Sequence, residues 1–291
     1  MNRSQIRVGV ALAAVLSIPL LLSAQGGRTG GQAAPGAEDT RAANQLDVAG
    51  KTKDARVIFQ KLIDNAPTPA AKAAAQRGMA MSFAFDGDCA DTIKYEEMVI
   101  AYWVSREKEE PQNAFYQEGE MANEGARVCI DQGQLDIAEE FYRRGTDYGL
   151  REPEPKTHPA SLWRFRLTHA LARLAARRGN AAEAHKQVAE ARKILDSDKT
   201  MAEAQERYFP YLQGYVELYL NNFPTALTHL EKASQSIATD PFMHALIGMT
   251  HEKMGHADLA KASYQKAYDL ATAHNPPAAF TRPFAAKKLG K

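Results

Sequence analysis

The chain has 291 residues, enough to bury a substantial core in one elongated array or two compact domains. Its 36 Lys and Arg balance 35 Asp and Glu to a net charge of +1, so no one-signed field of the kind that draws nucleic acid is present. Alanine is frequent and runs of β-branched residues are few, a composition that favours helix.

Residues 1–24 read as a signal peptide. Arg3 and Arg7 supply a basic start, and residues 8–22 form an apolar run of 15 residues. Ser23 and Ala24 place small residues before Gln25, which sets cleavage after Ala24. The run is shorter than the roughly 20 residues of a spanning helix, so an uncleaved anchor is the weaker reading. Residues 25–37, rich in Gly and polar side chains, read as a flexible linker.

From residue 38 the chain repeats a spacing. Ala43, Gly50 and Ala55 stand seven and five apart, followed by Phe59, Leu62 and Pro67. This predicts a first helix pair over 38–68. A second pair is expected over 69–110, with Gly78 on its first helix and a long turn through Asp86, Asp88 and Asp91. Those aspartates read either as helix caps or as a fragment of a calcium loop. The third pair, 111–151, keeps the spacing with Ala126, Gly133, Ala138, Tyr142 and Gly145, and ends at Pro153 and Pro155. The fourth, 161–198, keeps it with Ala172, Gly179, Ala184, Val188 and Ala191. Residues 199–205 would lengthen a neighbouring helix.

Over 207–274 the repetition is explicit. Gly214, Ala226, Leu230 and Ala233 recur as Gly248, Ala260, Tyr264 and Ala267, each 34 residues later. Small residues at these places let two antiparallel helices approach, with Gly248 expected to face Ala260 across the pair. Gly255 marks a turn that wants a positive φ. Residues 275–291 follow as a capping segment, with Phe280, Phe284, Ala285 and Leu289 as its apolar stripe.

The period and the small-residue slots resemble the tetratricopeptide repeat (TPR). The aromatic slots depart from it, since His244 and His251 stand where the family has Trp and Tyr. The resemblance implies an all-α, right-handed superhelical solenoid of five or six antiparallel pairs over 38–274, plus a capping helix. It implies a non-catalytic module that binds a protein or peptide in a concave groove. Alternatives are a cell-envelope complex assembly factor and, further off, a small-ligand carrier or degenerate enzyme. With the signal peptide, the expected location is exported, periplasmic or secreted, with no membrane span after cleavage and no nucleic-acid partner.

In this family the first helices line the groove. Carried over by position, the resemblance assigns partner contacts to Arg166, His169, Arg173 and Arg177 in the fourth pair. In the fifth it assigns them to Tyr208, Tyr211, Tyr215 and Tyr219. A basic stripe would lie beside an aromatic one, with Arg suited to carboxylates and Tyr to broad contact. The implied stacking also brings Cys89, at the start of one second helix, beside Cys129, near the end of the next first helix. They are the only two cysteines, and a bridge between them suits an oxidising compartment.

The chain holds no phosphate-binding glycine loop, nucleophile elbow or HExxH helix. The 8 histidines are scattered. His244 and His251 would lie about 10.5 Å apart along one helix, too far to share a metal. No catalytic residue, metal or cofactor is therefore expected.

Overall fold

A computed structural model describes residues 36–291. The expected signal peptide, and the linker up to residue 35, lie outside the described residues. Within them the chain is an all-α solenoid of stacked hairpins.

Six hairpins follow in order. They are α1 (Ala37–Val48) with α2 (Thr52–Asp64), α3 (Pro69–Phe85) with α4 (Cys89–Val104), and α5 (Pro111–Asp131) with α6 (Leu135–Leu150). Then come α7 (Ala160–Arg177) with α8 (Ala181–Ser197), α10 (Phe209–Tyr219) with α11 (Phe223–Ser236), and α12 (Pro241–Lys253) with α13 (Ala257–Leu270). A short α9 (Lys199–Gln205) and a 3-10 turn (Glu206–Tyr208) separate the fourth hairpin from the fifth, and α14 (Pro276–Leu289) ends the chain.

Local chemistry sets these boundaries. Every hairpin turn carries one residue at positive φ, Gly50, Gly87, Gly133, Gly179 and Gly255 in five and Asn221 in the other. A left-handed residue at this place ends the first helix and lets the chain reverse. Thr68, Asp88, Asn180, Asp198, Asp240 and Asn275 accept N–H bonds at the starts of their helices. Asp198 explains why residues 199–205 extend neither neighbour: its carboxylate accepts from Met201 N at 3.0 Å and starts a new helix. The aspartate-rich turn is likewise a set of caps and pairs. Asp88 accepts from Asp91 N, and Asp86 pairs with Arg56 at 2.7 Å.

The small slots hold the hairpins together. Ala43, Ala55, Ala126, Ala138, Ala172, Ala184 and Ala226 are fully buried. Gly248 faces Tyr264 rather than Ala260: a Cβ on Gly248 would stand 2.6 Å from the Tyr264 ring. Ala260 is buried on the same helix face, one turn earlier. Cys89 and Cys129 form a disulfide with Cα atoms 4.9 Å apart, tying α4 to α5.

The array closes on itself. Beyond packing on α12 and α13, α14 reaches α3 and α5. Arg282 bridges the ends, donating from Nη1 to Tyr268 O at 2.9 Å and from Nε to Val48 O at 3.1 Å. His274 Nε2 lies 2.8 Å from Asp47 Oδ2. The last helix thus covers more than the final hairpin. It spans to the first three.

Candidate partner-binding face

The first helices α5, α7 and α10 present their inner side chains to one another. Two places on each, six and two residues before the left-handed turn residue, form a stripe. They hold Arg127 and Asp131 on α5, Arg173 and Arg177 on α7, and Tyr215 and Tyr219 on α10. One helical turn separates the two places, so both face the same way.

Arg173 lies at the centre. Its Nη2 donates to Tyr142 Oη at 3.0 Å, its Nη1 to Tyr211 Oη at 3.4 Å, and its Nε to His169 O at 3.4 Å. Arg177 Nη1 donates to Tyr219 Oη at 3.2 Å and to Tyr215 Oη at 3.4 Å. The tyrosines pack on one another, Tyr215 against Tyr219 at 4.6 Å and Tyr211 edge-on to Tyr215 at 6.0 Å. Arg127 pairs with Asp131 at 3.3 Å and lies over the Phe242 ring at 4.3 Å.

Burial keeps the tyrosines and the histidine of the network uncharged. Burial pushes the Tyr211 and Tyr215 hydroxyls above their ordinary range, so they serve as neutral acceptors for Arg. Burial, reinforced by Arg173 and Arg127, holds His169 well below the usual imidazole range and so uncharged. Burial raises Asp131 while Arg127, Arg173 and Arg177 pull it down.

The stripe is therefore brought together, but much of it as core. Arg173 is 5% exposed, Tyr211 6% and Tyr215 0%. Each of these three faces inward among the neighbouring first helices, and its polar atoms are engaged by other side chains. Arg166, His169, Tyr208, Arg177 and Tyr219 keep partial exposure. Arg166 pairs with Glu120 of α5 and lies 4.9 Å from the Trp163 ring. His169 lies 5.3 Å from Tyr211. Tyr208, in the 3-10 turn, stands under Arg207 at 5.1 Å. A second ion pair, Arg77 to Glu124 at 2.6 Å, links α3 to α5.

Arg127 and Asp131, which the repeat position places on the same face though not among the assigned partner contacts, complete the network with Tyr142. A signal existed, because Arg127 stands before Gly133 as Arg173 stands before Gly179. The histidines of the sixth hairpin are structural. His244 Nε2 lies 2.9 Å from Ala238 O, and the turn brings His251 Nδ1 within 3.4 Å of His256 Nδ1. No group of three or more His, Cys, Asp or Glu among the described residues is placed to hold a metal. No described helix is long and apolar enough to cross a membrane.

Residues 243–274 match the tetratricopeptide repeat family model. No curated protein matches the chain. Among solved structures, it resembles the TPR-like repeats of a Podosopora anserina protein described as a kinesin light chain. That likeness has 14% identity and a TM-score of 0.37, covering 80% of this chain and 93% of that one. A singly substituted form of the same repeats gives 13% identity, a TM-score of 0.38 and coverage of 80% and 92%. The sixth hairpin, α12 with α13, is thus the part of the chain that matches the tetratricopeptide repeat, and the five hairpins before it share its left-handed turn.

Proposed function

We propose that the chain is an exported, non-catalytic module that binds a protein or peptide partner on its inner face. Residues 1–24 are then a cleaved signal peptide, 25–37 a linker, 38–274 the repeat array and 275–291 its C-terminal segment. The observation that carries the reading is the partly exposed group of Arg166, His169 and Tyr208, held over a rigid Arg–Tyr network on stacked hairpins of TPR type. Rigid backing keeps contact side chains in one arrangement and so lowers the ordering cost of binding. Arg166 lies beside the Trp163 ring and already pairs with a carboxylate, Glu120, the chemistry that a partner carboxylate would share. Export rests on the basic, apolar and small residues at the N-terminus.

The test is capture from a cell-envelope fraction with residues 25–291 as bait, repeated with the double variant Arg166→Ala, Tyr208→Ala. The expected result is a saturable partner whose capture falls about tenfold or more with the variant, the size of effect of a hot-spot pair. Equal capture by both baits would remove binding from this face. No saturable partner for either would overturn the module reading. N-terminal sequencing of the native protein tests export, and a mature chain still beginning at Met1 would count against it.

A further inference from the structure

The inner stripe changes character along the array. On α3 its two places hold Met81 and Phe85, so this part is apolar where α5 and α7 are charged. That apolar stretch is the part α14 covers. Met81, Ala84 and Phe85, with Val128 of α5, are buried against Ala278 and Ala279. Phe280 meets Phe242 of α12 edge-on at 5.2 Å. At one rim, Val48 O accepts from Arg282, and Asp47 holds His274, which also stacks 5.6 Å from Phe85. An apolar floor with an acid and an accepting carbonyl at its edge is a seat for a basic amphipathic helix.

The helix in that seat is held mainly at its rim, by Arg282 on Val48 O and Tyr268 O and by Lys288 on Glu252, and less well along its floor. Its fully buried residues are the small Ala278, Ala279, Thr281 and Ala285, and its larger apolar contacts come only from the half-buried Phe280 and Phe284. Thr281 Oγ1 is buried with no hydrogen-bond partner, a cost that the seated state bears and the released state does not. Pro283 inside the helix lacks the N–H that would bond back along it. The non-helical residues 271–275 join α14 to the array and would act as its tether.

We propose that α3, α5 and α12 form a helix-binding site that α14 fills in the isolated chain, and that the partner fitted to it presents a helix with two adjacent small residues followed three residues later by arginine, as in Ala278, Ala279 and Arg282. This rests on the reading of the chain as a protein-binding module and gives that module a partner chemistry. Binding then exchanges one helix for another, and α14 sets the threshold a partner must exceed.

The probe is a fluorescein-labelled synthetic peptide of residues 274–291, titrated into the full chain and into its Ala279→Glu variant. Ala279 is 1% exposed, so the new carboxylate weakens α14 and leaves the seat untouched. The peptide is expected to bind the variant at least about tenfold more tightly than the unaltered chain, since the competing helix is displaced. A peptide carrying the same substitution is expected to bind neither. Equal binding to both chains, or none to the folded variant, overturns the proposal. Should Ala279→Glu fail to fold by circular dichroism, Arg282→Ala supports the same comparison. The unaltered chain gives an independent reading: amides of 278–289 are expected to exchange about tenfold or more faster than those of 79–85, and equal protection overturns the proposal. Neither measurement uses a partner, so their failure is separate from a failure of the capture experiment.

Discussion

Arg173 of α7 donates to the hydroxyl of Tyr142 on α6 at 3.0 Å, deep inside the array, and the same guanidinium reaches Tyr211 on α10. One buried side chain thus joins three hairpins. Arg173→Ala removes that junction, leaves two tyrosine hydroxyls without their donor and opens a cavity. The expected loss is about 2–4 kcal/mol, read from urea unfolding. An unchanged midpoint, with partner capture lost, would show that Arg173 acts at the surface.

Gly248 tests the packing of the repeat that matches the tetratricopeptide model. A Cβ there would meet Tyr264 at 2.6 Å, so Gly248→Ala must displace the ring. A cost of about 1–3 kcal/mol is expected, typical of overpacking. Ala260→Leu, on the same buried face, should cost a similar amount. A gain in stability from Gly248→Ala would mean that the two helices stand further apart.

The hairpins were legible because their signal is local. Small residues seven and five apart flank the left-handed turn in five of the six pairs, the second being the exception, with Thr92 five after Gly87. Asn221 and Gly87 take the same turn, although the long aspartate stretch near Gly87 disguised it. The inner stripe was legible in direction, since Arg173, Arg177, Tyr211 and Tyr215 do share one side. Its burial was not legible, because it depends on how tightly hairpins far apart in sequence curl together. The contact of Arg282 with Val48 spans nearly the whole array, and no periodicity encodes it. Glycine at 248 told that something approaches closely, but Tyr264 and Ala260 lie on the same face, and only the side-chain direction chooses between them.

The bridge between Cys89 and Cys129 closes a loop of 40 residues. Replacing both cysteines with alanine, or reducing the bond, should lower stability by about 2–4 kcal/mol. Thiol titration of the unfolded, unreduced protein should find no free thiol. Two titratable thiols would rule the bridge out.

Stability should also fall as pH rises from about 4.5 toward 7. Glu118 on α5 is fully buried, and its carboxylate oxygens have no hydrogen-bond partner. Burial, helped by the nearby charge of Glu107, pushes its pKa up from 4.5 to about 7. Its folded pKa is thus raised. The stability tied to its proton is present below about pH 4.5 and is lost as pH rises toward 7. Glu96, buried without partners on α4, moves the same way, through burial and then the charge of Glu124. Glu118→Gln keeps the shape and removes the titration. It should raise stability at pH 8 by about 1–3 kcal/mol and flatten the profile between pH 4.5 and 7. A pH profile identical to that of the unaltered chain would place the Glu118 carboxyl in contact with water.

The inner face as the binding surface is tested most directly by hydrogen exchange of the full chain with and without its captured partner. The closed array with a displaceable last helix predicts slower exchange over 164–169 and 206–210, faster exchange over 278–289, and no change on the outer helices α8 and α11. Protection confined to those outer helices, with 164–169 and 278–289 unaltered, would contradict it.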